Sequence, residues 1–406
     1  MLATTLLSAT GLRADAPAAP SANPEPSGRV RLGLTRAALA VPYLRADHAF
    51  AAALAKGLAE GETRERYSRQ FDRATIEFFS GRRPQAERLL NELVREIEER
   101  LGREIRPDVA VASKGTLCEG AATKRELLLE RARKVEAPEG LARLSREIVL
   151  ARLALMTERP DPNNSASFLG EWECAKRTEH FERQVALLEA GEWRRAIDAD
   201  PNVPLVLEGS TIPMRVVAPE GKGEPRPVVV ALHGAGGDEA MFATAYGAGA
   251  LVRACAERGA ILVTPRTELF GFLPDAMERL LAQLDTIYGV DRERVFLIGH
   301  SLGAQAALGL ARRPAPAIRG VVLIAGGRGL GAGDGAEAGN LPPVLMIVGG
   351  LDPIFPLDGL VQDVQRAQAK GVRVELRVFQ HDGHTLVVTP GVERAMEWFG
   401  GLGLAR

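Results

Sequence analysis

Between about Arg29 and Pro201 the apolar residues recur with the period of a helix. Ala86, Leu89, Leu90, Leu93, Val94, Ile97 and Leu101 fall at i, i+3, i+4, i+7 and i+8 with Glu and Arg between them, which predicts one buried stripe and one solvated face. Leu127–Val135, Leu141–Met156 and Phe181–Ile197 read the same way, and Pro160–Asn164 interrupts them with turn residues. Phe71, Gly81 and Ala86 reappear at identical offsets as Phe181, Gly191 and Ala196, the mark of two helical hairpins. The charge runs near Arg64 and Glu98 read as solvated helix faces, and His48, His180, Trp172 and Trp193 stand isolated.

After Asp200-Pro201 the period changes. Leu205–Leu207 and Met214–Val217 are short extended runs, and a loop rich in Gly, Pro and charge covers Pro219–Pro227. Five continuous apolar runs follow: Val228–Leu232, Ile261–Val263, Val295–Ile298, Val321–Ile324 and Val344–Val348. Apolarity without alternation means strands buried on both faces, hence a parallel sheet covered by helices on each side. Pro274–Tyr288 supplies one such helix, with Met277, Leu280, Leu281, Leu284 and Ile287 on one side. Val372, Val374, Leu376 and Val378 instead alternate with charge, as on an edge strand with one wet face, and Val392, Ala395, Met396 and Phe399 mark a closing helix.

The division this predicts is a lead-in over 1–28, a helical domain over 29–200 and an α/β domain over 205–402. Composition alters little of that picture. A net charge of −1, from 51 basic and 52 acidic residues, gives no field to draw nucleic acid, and no run reaches the length of a membrane span. Cys118, Cys174 and Cys255 are too widely spaced for a zinc pattern and read as buried thiols. The apolar stretch Leu2–Leu12, followed by Arg13-Ala14-Asp15-Ala16, is either a weak export signal or the start of a flexible lead-in, so a cytoplasmic location and export both stay open.

The candidate chemistry sits where the predicted strands end. Val295–Ile298 runs into Gly299-His300-Ser301-Leu302-Gly303, the Gly-x-Ser-x-Gly of a nucleophile elbow, and then into a helix rich in alanine. A serine becomes a useful nucleophile when a sharp turn holds it out of the backbone, beside a base and beside free amides. Val228–Leu232 delivers His233-Gly234-Ala235-Gly236-Gly237-Asp238, Val344–Val348 delivers Gly349-Gly350-Leu351-Asp352-Pro353, and the edge strand delivers His381-Asp382-Gly383-His384. Rivals exist at two positions: His381 for His384, and Asp334 or Asp358 for Asp352. His300 and His233 are expected to brace their turns, and Glu239 either lines a pocket or opens a solvated helix. No metal, nucleotide or flavin site is evident, since the turn at Gly234 lacks the Lys and Ser/Thr of a phosphate loop.

Residues 205–402 resemble the α/β-hydrolase superfamily, in which Ser, acid and His follow in this chain order. The text Leu232-His233-Gly234-Ala235-Gly236-Gly237-Asp238-Glu239 is similar to esterases of the feruloyl esterase, polyhydroxyalkanoate depolymerase and dienelactone hydrolase kind, and the paired helical hairpins loosely resemble tetratricopeptide pairs. The resemblance implies a doubly wound, mostly parallel sheet preceded by an all-α domain. It also implies Ser301 as nucleophile, His384 as base, Asp352 as its acid, and the amides of Ala235 and Leu302 as oxyanion donors. The expected activity is hydrolysis of a small-molecule or polymer ester without a cofactor. A peptidase or amidase of the same fold, or a non-catalytic scaffold whose helical part meets a protein partner or a second copy, are the alternatives. Residues 326–340 are short and rich in glycine, which leaves little material for a lid and predicts an open cleft unless the helical part covers it.

Overall fold

The computed structural model describes residues 39–106, 119–154, 174–208, 210–219, 224–314, 316–331 and 341–404. The predicted lead-in, the break at Pro160–Asn164, Trp172, Cys118 and Asp334 lie outside these residues.

Among the described residues seven helices come first: α1 (Ala40–Ala55), α2 (Gly61–Phe79), α3 (Arg83–Leu101), α4 (Ala121–Lys134), α5 (Leu141–Ala154), α6 (Cys174–Glu189) and α7 (Trp193–Asp198). Gly81 and Gly191, which carry the hairpin signature, sit in the α2–α3 and α6–α7 turns with φ of 79° and 70°, where any side chain would be strained. A small antiparallel pair follows, β1 (Leu205–Leu207) with β2 (Ser210–Ile212). The sequence reading missed β2, whose Ser-Thr-Ile text carries no apolar alternation.

The main sheet has seven strands: β3 (Met214–Val217), β4 (Arg226–Leu232), β5 (Ile261–Pro265), β6 (Val290–His300), β7 (Gly320–Ile324), β8 (Val344–Gly349) and β9 (Val374–Phe379). Their order is β3-β5-β4-β6-β7-β8-β9; β3 runs antiparallel to β5, and every other neighbouring pair is parallel. The chain therefore leaves β4 toward β5, returns past β4 to β6, and walks on to the β9 edge. With helices on both faces this is the α/β-hydrolase fold. It puts the crevice where strand order reverses between the carboxyl ends of β4 and β6.

Strand residues point alternately to the two faces, and each face has its own core. Val228, Val230, Leu297, Leu323 and Met346 pack against α9 (Ala276–Tyr288), α10 (Leu302–Ala311) and α11 (Leu357–Ala369). Val229, Ala231, Phe296, Ile298, Val322 and Ile347 pack against α8 (Ala250–Glu257) and α12 (Val388–Gly401). This second core continues without a break into Tyr43, Leu44 and Phe50 of α1, Tyr67 and Phe71 of α2, and Leu93 and Ile97 of α3. Helices α4 to α7 gather round a separate cluster that includes Leu128, Val149, Phe181 and Val185. Arg152, buried in α5, ties that cluster to the start of the sheet by donating to the carbonyls of Ala196, Ile197, Asp200 and Asn202.

Two members of the charge runs turn inward from faces that are otherwise exposed at Glu62, Arg66, Arg95 and Glu99: Arg64 pairs with the buried Asp382, and Glu98 pairs with Arg45 and accepts the Ile105 amide at 2.8 Å. His48 has a backbone partner, its Nε2 lying 2.8 Å from the Thr244 carbonyl. Cys255 is a buried free thiol, and burial pushes it up to about 12. None of the described helices is long and apolar enough to cross a membrane.

Asp47 of α1 is a buried carboxyl with a measurable consequence. It accepts from the Gly247 amide at 3.4 Å and the Thr389 hydroxyl at 3.3 Å, while its Oδ2 has no partner among the described residues. Burial, opposed by those two hydrogen bonds, pushes it up to about 7. A carboxyl raised in the folded state binds its proton more tightly there, so its stabilising contribution is full below the unfolded value and is lost as pH rises through about 7. Asp47→Asn, neutral at every pH, should raise stability at pH 8 by about 2–4 kcal/mol and leave it nearly unchanged at pH 4. Urea unfolding at the two pH values measures this; equal changes at both would refute the assignment.

Candidate active site

The elbow is built by close approach of backbones. β6 ends at His300, and Ser301 takes φ 55° and ψ −114° before α10 starts at Leu302. For a residue with a Cβ this conformation costs about 1–3 kcal/mol, sustained here by the surrounding packing and by the Ser301 amide donating to the Ile324 carbonyl at 2.9 Å. A Cβ on Gly299 would fall on the Gly303 carbonyl, and one on Gly303 would fall on the Leu232 carbonyl at the end of β4. Both glycines are thus demanded by contact.

Three side chains from three strand ends meet beside this turn. The Ser301 hydroxyl lies 3.0 Å from His384 Nε2, and His384 Nδ1 lies 2.9 Å from Asp352 Oδ2. The other Asp352 oxygen accepts the amides of Ile354 and Phe355 at 2.8 and 2.9 Å, which fixes the carboxylate and aims Oδ2 at the imidazole. Phe355 stacks on the His384 ring at 5.8 Å and 16°. Asp352 and His384 are buried, whereas Ser301 keeps partial access to solvent. His381, the rival base, is turned outward to Glu65 of α2 at 2.9 Å, and Asp358 lies in the first turn of α11.

Two further histidines beside the elbow, His300 and His233, are pinned by their partners. A carbonyl can only accept, so His300 Nε2 carries the proton it donates to the His384 carbonyl at 3.0 Å, and Nδ1 accepts from the Tyr246 hydroxyl at 2.8 Å. His233 is the reverse: Nε2 accepts the Thr267 amide at 3.1 Å, so Nδ1 donates to the Gly234 carbonyl at 2.9 Å. Burial pushes His233 below the usual histidine value, which agrees with a neutral ring.

Gly234 packs directly on the elbow, where a Cβ would stand 2.8 Å from His300 Nδ1 and 3.3 Å from the Ser301 Cβ. The turn is closed by the Gly237 amide donating to the Gly234 carbonyl at 3.1 Å, which leaves Ala235 at its first corner. Leu302 is the first residue of α10, where a helix leaves its amides without an internal acceptor. Glu239 is buried, so it does not open a solvated helix; Asp238 is buried beside it, and burial together with the Glu239 charge pushes Asp238 well above the ordinary carboxylate value.

One group near the site escaped the sequence reading. Asp72 of α2 is buried against the loop that carries His384 and accepts the amides of His384 at 2.7 Å and Thr385 at 3.2 Å. Among the described residues no cluster of His, Cys, Asp and Glu side chains has the makings of a metal site.

No protein-family model matches this chain, and no curated protein matches it in sequence. Among solved structures it is similar to a thermostable esterase at 19% identity and a TM-score of 0.41, over 50% of this chain and 63% of that one. It is also similar to FphF, a fluorophosphonate-binding serine hydrolase of Staphylococcus aureus, at 15% identity and a TM-score of 0.40, over 47% of this chain and 93% of that one. An acylaminoacyl peptidase is similar at 16% identity and a TM-score of 0.38, over 49% of this chain and 41% of that one.

Proposed function

We propose that the protein is a serine hydrolase of carboxylic esters that works through an acyl-enzyme on Ser301. The observation that carries this reading is the unbroken hydrogen-bonded line from the Ser301 hydroxyl through His384 to Asp352. His384 takes the hydroxyl proton as Ser301 Oγ attacks the ester carbonyl carbon. Asp352 holds the imidazole by its Nδ1 proton and offsets the charge that forms. The amides of Leu302 and Ala235 receive the oxyanion, and collapse of the tetrahedral intermediate expels the alcohol, which takes its proton from His384. Water then repeats the cycle on the acyl-enzyme and releases the acid. Catalysis is assigned to residues 205–402.

A fluorophosphonate phosphonylates a serine only where a base activates it. Wild-type protein should therefore label at Ser301, and Ser301→Ala should not. Folded wild type that stays unlabelled at high probe concentration would reduce the fold to a scaffold. p-Nitrophenyl acetate should be hydrolysed faster than the matching p-nitroanilide, and the opposite ranking would make the protein an amidase.

A further inference from the structure

The loop 381–385 follows edge strand β9 and carries His384. On the sheet side it is held by the Leu351 amide donating to the Asp382 carbonyl at 2.9 Å and by His300 donating to the His384 carbonyl. On its other side lies α2, a helix that precedes it by more than 300 residues. Asp72 spans two successive amides there, Oδ2 on His384 and Oδ1 on Thr385. About two helical turns earlier, Arg64 forms a two-pronged pair with Asp382, at 2.7 Å from Nε and 2.5 Å from Nη2. The Asp382 carboxylate is completely buried, so Arg64 is the group that makes its burial tolerable. Gly383 lies between the two attachments, and a Cβ there would fall on Asp72 Oδ2. The backbone of His384 is thus held on both sides, its N–H by Asp72 and its C=O by His300.

We propose that Asp72 and Arg64 are positioning residues for His384: α2 clamps the loop 381–385 in the register that brings Nε2 against the Ser301 hydroxyl, so the helical segment completes the hydrolase site. The inference rests on the triad reading above. It assigns to α2 a task that packing alone does not require, since a helix held only by apolar contacts has no use for a buried carboxylate on a loop's amides.

The same geometry gives Asp72 an electrostatic influence. Burial pushes its carboxyl up to about 7; the His384 charge and amide restrain that rise, and Asp352 adds to it. The charged and titratable groups around it are His384 and Asp352 of the triad, Asp382 and His381 of the loop, and Arg64 and Glu65 of its own helix. Ionised Asp72 places a second negative charge beside the imidazole and favours its protonated form. With its carboxyl pushed up to about 7, Asp72 carries that charge only in part over the acid limb, so its removal should move the limb downward by a fraction of a pH unit.

The test uses the full chain, with p-nitrophenyl acetate turnover followed from pH 5.5 to 9 for wild type, Asp72→Asn, Arg64→Gln, Ser301→Ala and Arg66→Ala. Arg66 lies on the same helix and pairs with Glu96 at the surface, so it is the control. Asp72→Asn should lower kcat by about ten- to a hundredfold with KM within about twofold, as expected when a group is misplaced for the chemical step alone. Its acid limb of kcat/KM should fall by about half a pH unit, because Asp72 is only partly ionised there, and loosened packing would not produce such a displacement. Arg64→Gln should lower kcat by about three- to tenfold with no displaced limb. A folded Asp72→Asn protein with wild-type kcat and an undisplaced limb would overturn the proposal. If Asp72→Asn does not fold, Arg64→Gln decides instead, and wild-type kcat in that variant would overturn it equally. Failure of the triad reading looks different: Ser301→Ala would then be as active as wild type.

Discussion

Ser301→Ala and His384→Ala should each turn over p-nitrophenyl acetate about a million-fold more slowly than wild type, and the double variant should be no slower than either single one. The reason is the shared hydrogen bond. In the proposed mechanism the hydroxyl is a nucleophile only while Nε2, 3.0 Å away, can take its proton, so removing either partner removes the same step. Asp352→Asn should cost less, about ten-thousand-fold, because the ring stays in place while the amide no longer selects the tautomer with Nδ1 protonated. What remains in all variants is binding and oxyanion stabilisation. Steady-state rates corrected for background hydrolysis measure the series. Losses that multiply in the double variant would mean that Ser301 and His384 act in separate steps.

The second large effect is structural. Gly303→Ala should destabilise the protein by about 3–5 kcal/mol and abolish labelling of Ser301 in whatever fraction still folds. The added methyl meets the Leu232 carbonyl at the end of β4, so either α10 lifts away from the sheet or the turn bearing Ala235 is pushed out. Gly309 lies on the same helix, and a Cβ there meets nothing within 4 Å. Gly309→Ala should therefore be neutral or add up to about 1 kcal/mol, as the usual preference for alanine in a helix dictates. Urea unfolding of both variants, with labelling of the folded fraction, separates a steric requirement at Gly303 from a general cost of replacing helical glycine. Similar behaviour of the two would remove the steric argument for the elbow.

The parts of this site that were legible in the sequence are those written locally. Val295–Ile298 followed by Gly299-x-Ser301-x-Gly303 is a strand, a strained turn and a helix in ten residues, and each glycine answers to one carbonyl. Asp352 was legible because a turn sequence follows directly on a buried apolar run. The place of His384 after Gly383 separates it from His381 in the sequence; in the structure His384 faces Ser301 and His381 faces Glu65. Periodicity also marked the change from helix to strand after residue 200. It could not mark Asp72, Arg64 or Asp47. Polar residues in an amphipathic helix read as its wet side, and nothing near them in the chain says that a distant loop will cover them. Asp72 is paired with two backbone amides, which have no letter in a sequence. Nor does helical period reveal which sheet a stripe will meet, so the continuous core from α1–α3 into the sheet was not foreseen.

The attachment of α2 to the loop after β9 also bears on how the molecule comes into being. Contacts such as Asp72 to His384 join positions separated by 312 residues, and Arg64 to Asp382 by 318. Once α2 has left the ribosome, these groups have no counterpart until β9 and the loop after it have been synthesised. Until then its carboxylate and guanidinium stay hydrated and the face of α1–α3 destined for the sheet is uncovered. Long-range closure of this kind slows assembly and lengthens the interval in which a nascent chain is exposed to aggregation. In the proposed hydrolase the site is therefore completed late, when α2 and the loop after β9 meet.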